Sequence, residues 1–165
     1  MDLEASKKKV AALTAPRNTV LVGASDRPGS WAARVWRNLN RYEFPGPIYL
    51  INPGRKEIWD QPCYPDFKSL PEPPDHMVVL VPAKGVIETL RAGAAAGARS
   101  ATVFSAGFGE SFDQEAALLG RQLACESPVL FTCISAWTAV NLVRVAPQRA
   151  SSSSACSDVE PGSAE

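Results

Sequence analysis

Val20-Leu-Val-Gly-Ala-Ser-Asp-Arg-Pro-Gly-Ser30 is the stretch on which the reading of this chain turns. Asn18 to Val22 is a short, apolar, β-branched run that stops at a glycine, the pattern of a strand buried on both faces. From Gly29 the period changes. Trp31, Val35 and Leu39 recur every fourth residue with Arg34, Arg37 and Asn38 between them, which predicts a helix with one buried stripe. A strand, a small-residue turn and a helix in this order form half of a βαβ unit. The free N–H groups at the start of such a helix attract anions.

Outward from this loop the alternation continues. Ile48–Ile51 is a second strand stopped by Asn52-Pro53-Gly54, and Gln61 to Pro74 is a proline-rich connection in which a long helix is excluded. Met77–Val81 predicts a third strand, and Val86, Leu90 and Ala94 mark a helix ending near Gly97. Ala101–Phe104 predicts a fourth strand. Ser111 and Gln114 fit a capping box that opens a helix over Asp113–Cys125, and Pro128–Cys133 is a fifth strand. About five alternations of apolar strand and helix define an α/β fold: a three-layer, doubly wound, parallel, Rossmann-like sheet.

Composition narrows the function. The 165 residues suffice for one domain, and seventeen basic side chains balance seventeen acidic ones, so no net field recruits nucleic acid or a membrane surface. The N-terminus lacks an apolar signal core, and no run of about 18 apolar residues predicts a membrane span. Cys63, Cys125, Cys133 and Cys156 form no CxxC pair, which suits reduced thiols in a cytoplasmic protein. His76 is the only histidine and excludes a histidine-rich metal site; its polar surroundings predict a solvated loop position. Trp31, Trp36 and Trp59 are expected to be packing residues. Residues 1–12 are expected to be a mobile or loosely helical lead-in, 13–133 the folded domain, and 134–165 a divergent tail. The last nineteen residues hold six serines and no aromatic residue, and they read as disordered.

The loop lacks Gly-Lys-Ser/Thr and is not GxGxxG. Ligands of doubly wound sheets lie beyond the carboxyl ends of the strands, and an NAD site carries an acid after the second strand to bind the ribose hydroxyls. Here that strand runs into Asn52-Pro53-Gly54-Arg55, with no acid before Glu57. An arginine suits a ribose that carries a phosphate of its own. Coenzyme A and NADP both qualify.

VLVGASDRPGS, INPGRKEIWDQPCYPDFKSLPEPPD, VVLVPAKGV and ATVFSAGFGES follow one another at spacings that resemble the CoA-binding domain of the ADP-forming (NDP-forming) acyl-CoA synthetases. That domain is itself similar to the N-terminal half of the succinyl-CoA synthetase α subunit. The resemblance runs from about Leu13 to Val129. It implies that Gly23, Ala24, Ser25 and Ser30 cradle the pyrophosphate. Asn52, Pro53 and Arg55 would meet the ribose phosphate and adenosine, Val81 and Pro82 would form an apolar wall, and Ser105, Ala106, Gly107 and Phe108 would line the pantetheine arm. The resemblance also implies ligase chemistry shared with an ATP-grasp module and a phosphohistidine domain. No paired carboxylates, activated nucleophile or metal cluster stands in for them here, so the expected role is CoA or acyl-CoA binding without independent catalysis. An NADP-binding oxidoreductase domain and a nucleotide-sensing regulatory protein are the alternatives. The family's Gly-Pro-Asn loop after the fifth strand is replaced by Thr132-Cys133-Ile134-Ser135, and from about Phe131 the resemblance ends, as in a replaced or out-of-frame terminus.

Overall fold

The computed structural model describes residues 3–105 and 130–134. The elements run α1 (Leu3–Thr14), β1 (Thr19–Val22), α2 (Trp31–Arg41), β2 (Ile48–Ile51), β3 (Glu57–Ile58), β4 (Gln61–Tyr64), a short 3₁₀ turn (Phe67–Ser69), β5 (His76–Val79), α3 (Ala83–Ala95), β6 (Ser100–Phe104) and β7 (Leu130–Ile134). The strands form one sheet in the order β3-β4-β2-β1-β5-β6-β7, in which every pairing is parallel except the β3–β4 hairpin. From β1 the chain first builds outward through β2 and β4. It then crosses back to add β5, β6 and β7 on the other side. This is the strand order of a doubly wound sheet, with its reversal between β1 and β5.

The alternation of side chains along the strands separates two cores. Val20, Val22, Met77, Val79, Ala101 and Val103 face α3, whose Val86, Ile87 and Leu90 close over them. Leu21, Leu50 and Val78 face α2, which contributes Val35, Trp36 and Leu39. The predicted strands and the first two helices are therefore present. The expected helix over Asp113–Cys125, its capping box and the 134–165 tail fall outside the described residues, apart from Ile134 at the end of β7. α1 (Leu3–Thr14) takes up most of the stretch 1–12 expected as a mobile or loosely helical lead-in, and it lies alongside β6 and β7.

The proline-rich connection contains a hairpin that periodicity does not reveal. Glu57 pairs with Pro62 and Ile58 with Gln61, while Leu50 and Ile51 of β2 pair with Cys63 and Tyr64. The Cys63 N–H points toward β3, donating to the Lys56 carbonyl at 2.9 Å. The nitrogen of Pro62 therefore faces β2, before that ladder begins, and its missing N–H removes no sheet hydrogen bond. Trp59 and Asp60 turn the hairpin with φ of +55° and +56°, the left-handed pair of a type I′ turn. That conformation costs a bulky residue about 1–2 kcal/mol. Trp59 is held in it by stacking on Trp36 of α2, centroid to centroid 5.1 Å and 9° from parallel.

His76 departs from expectation. It is a buried β5 residue, 7% exposed, with Nδ1 2.8 Å from Ser100 Oγ and Nε2 3.2 Å from Thr102 Oγ1. Burial pushes its pKa down to about 4, although neighbouring Asp75 draws it upward. Asp75, also buried, accepts the Arg17 N–H at 3.0 Å and donates its own N–H to Asn18 Oδ1 at 2.7 Å. Arg99 Nε stands 3.1 Å from its Oδ1 as an ion pair without hydrogen-bond alignment. This cluster ties the amino ends of β1, β5 and β6 together, on the edge opposite the loops described next.

Candidate functional site

Three loops, and the first residue of a fourth, meet at the carboxyl edge of the sheet. The first leaves β1 through Gly23, whose φ of +86° a side chain rarely adopts. A Cβ there would lie 3.0 Å from the Leu80 carbonyl oxygen and 3.2 Å from Val81 Cγ1. Gly23 thus lets the end of β1 pass close to the end of β5. The N–H groups of Gly23 and Ala24 both donate to the Ile51 carbonyl, at 2.9 and 3.2 Å. Both residues accordingly shape the turn through their backbone. The Ser30 hydroxyl accepts the Ala33 N–H and donates to the Ser25 carbonyl, each at 3.1 Å, so it caps α2 and folds the loop back on itself. Ser25 Oγ accepts the Arg27 N–H at 3.3 Å.

Asn52 organises the second loop. Its Nδ2 donates to the Ala24 carbonyl at 2.8 Å, its Oδ1 accepts the Gly54 N–H at 2.8 Å, and its carbonyl accepts the Arg55 N–H at 3.2 Å. One side chain therefore joins the turns after β1 and β2. Pro53 and Arg55 project into solvent beyond it. The Arg55 guanidinium reaches back across the edge, with Nη2 3.5 Å from Asp26 Oδ1 and both side chains about half exposed. Cys63, buried behind Asn52, has its thiol pKa raised by burial.

The third loop, after β5, holds half-buried Val81 and exposed Pro82. Pro82 is the N-cap of α3 and offers no side-chain cap. The fourth begins at half-buried Ser105, and the remaining pantetheine-arm candidates, Ala106, Gly107 and Phe108, lie outside the described residues. Trp31 corrects the packing expectation, whereas Trp36 and Trp59 meet it. Trp31 is 44% exposed, its ring is 5.4 Å from that of Phe104, and the Arg34 guanidinium lies 5.1 Å over it. The four-residue spacing grouped it with Val35 and Leu39. As the first residue of α2, however, it stands at the carboxyl edge, where the helix has little sheet beneath it.

These positions bring Gly23, Ala24, Ser25, Ser30, Asn52, Pro53, Arg55, Val81, Pro82 and Ser105 to one edge, on either side of the strand-order reversal. Asp26 and Trp31 join them there, although sequence reasoning did not single them out as site residues. The signal for Asp26 was the charged pair Asp26-Arg27 inside a loop of small residues and proline. For Trp31 it was an aromatic residue directly after an N-cap serine. Among the described residues no cluster of His, Cys, Asp or Glu suits a metal ion. No helix among them is long and apolar enough to cross a membrane.

A doubly wound parallel sheet with a glycine turn after β1 and an exposed arginine after β2 defines a nucleotide-binding domain. Within that class, the chain belongs to the CoA binding domain family, whose model matches residues 17–134. It is 37% identical over 109 residues to a trans-feruloyl-CoA synthase of an unknown prokaryotic organism, covering 66% of this chain and 15% of that one. It is 35% identical over 108 residues to the ADP-forming acetate–CoA ligase I of Archaeoglobus fulgidus, again over 66% of this chain and 15% of the relative. The fold resembles that of a dinucleotide-forming acetyl-coenzyme A synthetase 1 of Ca. Korarchaeum cryptofilum. The TM-score is 0.65 and the identity 29%, over 76% of this chain and 27% of that one. The chain thus spans about 15% of the length of these two curated relatives. It is a CoA-binding domain resembling those of the ADP-forming acetyl-CoA synthetases, and no observation favours NADP.

Proposed function

We propose that the chain holds coenzyme A or an acyl-CoA across this carboxyl edge for ADP-forming acyl-CoA ligase chemistry. The observation that carries the reading is the position of Arg55. Its guanidinium leaves the end of β2, turns toward the loop after β1 and keeps about half its surface in solvent. The donor set suits a phosphorylated ribose, since an arginine fork pairs with phosphate through two charge-assisted hydrogen bonds. A carboxylate at the same place would instead select ribose hydroxyls. Pro53 would lie against the adenosine, with Asn52 fixing the loop beneath it. The Gly23–Ser30 loop would receive the pyrophosphate, in the neighbourhood of Ser25, Ser30 and the start of α2. Val81, Pro82 and Ser105 would border the pantetheine arm, for which the family resemblance also implies Ala106, Gly107 and Phe108.

Bound CoA supplies the thiol that becomes the thioester. This chain's own residues anchor and orient the nucleotide end, and thioester formation falls to ATP-grasp and phosphohistidine domains provided elsewhere. A cytoplasmic setting accords with the free, buried Cys63 thiol.

Calorimetric titration tests the reading. CoA is expected to bind at least about ten-fold more tightly than dephospho-CoA, equivalent to about 1.4 kcal/mol. Arg55→Ala should erase that preference and leave the far-ultraviolet spectrum unchanged. Equal affinity of the wild-type chain for the two compounds, or tighter binding of NADPH than of CoA, refutes it.

A further inference from the structure

We infer that Asp26 is an internal competitor for the nucleotide's ribose phosphate: it holds Arg55 across the crevice and thereby lowers the affinity for CoA. The inference rests on the CoA reading above and assigns a role to a residue which that reading leaves unused.

The geometry argues against a stabilising role for the pair. Arg55 Nη2 and Asp26 Oδ1 are 3.5 Å apart, and both side chains are about half exposed. A strong charge-assisted hydrogen bond would be about 2.7–2.9 Å long. Single-contact exposed pairs of this kind add little to folding. The loops are already joined without it, by Asn52 Nδ2 to the Ala24 carbonyl and by the Gly23 and Ala24 N–H groups to the Ile51 carbonyl. What the ion pair does is electrostatic. It occupies the guanidinium that would meet the ribose phosphate, and it sets a carboxylate in the loop that would receive the pyrophosphate.

A phosphate monoester carries more charge than a carboxylate and engages an arginine fork through two oxygens, so it displaces Asp26 when it binds. The affinity observed is then that of the phosphate for Arg55 less the cost of releasing Asp26. A nucleotide without the ribose phosphate never makes this exchange. It meets only the general repulsion between Asp26 and the pyrophosphate, which salt screens only beyond about 10 Å at 0.1 M and which does not involve Arg55. Asp26 therefore keeps bound CoA exchangeable, and it weakens the discrimination that Arg55 would otherwise impose.

Asp26→Asn keeps the shape of the side chain and removes its charge. In titrations of the full chain at low salt, this variant should bind CoA about three-fold more tightly than wild type. Its gain for dephospho-CoA should be clearly smaller. On an Arg55→Ala background the gain for CoA should shrink to that seen with dephospho-CoA, because the competition needs both partners. If wild type prefers CoA to dephospho-CoA while Asp26→Asn binds CoA no better or more weakly, the competition is overturned and the CoA reading stands. If wild type binds the two compounds equally, the CoA reading fails and the inference falls with it.

Discussion

Replacing His76 by asparagine should remove a specific part of the chain's acid sensitivity. The imidazole is 7% exposed between Ser100 and Thr102, and burial lowers its pKa from 6.5 to about 4. A neutral ring satisfies both contacts, one nitrogen donating to a hydroxyl and the other accepting from one. Below pH 6.5 the unfolded chain takes up a proton that the folded chain resists. The stabilisation from the neutral ring is therefore complete above 6.5 and is lost as pH falls toward 4. The gap between the two values amounts to about 3 kcal/mol at pH 4. That is a large share of the stability of a domain of this size. The assay is urea unfolding at several pH values from 7.5 to 4, for wild type and for His76→Asn. The difference between the two free energies isolates the imidazole. Carboxylates that do not act on the imidazole cancel between the two chains, including Asp66, held low by Ser69, and Glu72, held low by Asn18 and Tyr49. Wild type should lose about 3 kcal/mol more than the variant across this range. Parallel curves for the two proteins refute the argument.

Two further predictions concern how the scaffold is held. A Cβ at Gly46 would run into the Arg17 carbonyl carbon and oxygen, backbone atoms that cannot rotate away, so Gly46→Ala should cost about 1–3 kcal/mol in chemical denaturation; an unchanged midpoint would remove that close approach. The Trp36–Trp59 stack should show a coupling of about 1 kcal/mol in a double-mutant cycle of alanine variants, read by urea unfolding. Strict additivity would mean that the hairpin turn is held by something else.

Local pattern determined much of this protein. The apolar runs at Thr19–Val22, Ile48–Ile51 and Ser100–Phe104, each broken by small residues or proline, specify buried parallel strands, and the spacing of Val35 and Leu39 specifies a helix packed on them. The motifs after those strands also carried the CoA family in order, because each stands at a strand end and its spacing follows from the fold. Residue type, together with its place just after the second strand, made Arg55 a phosphate candidate.

Tertiary structure decided what depends on neighbours remote in sequence. Pro62 masked β4, since its tolerance depends on which partner its nitrogen faces. His76 looks polar and exposed until Ser100 and Thr102, on the adjacent strand, enclose it. Trp31 fits a helix stripe, and only the height of α2 above the sheet edge exposes it beside Phe104. The bond by which Asn52 joins two loops is not legible in the sequence, and the Asp26–Arg55 pair spans 29 positions that only the parallel β1–β2 pairing brings together. Periodicity encodes which face of an element is buried, because burial acts on each residue according to its own side chain. Hydrogen bonds and ion pairs depend on two groups meeting, and here the order of the strands determines which groups meet.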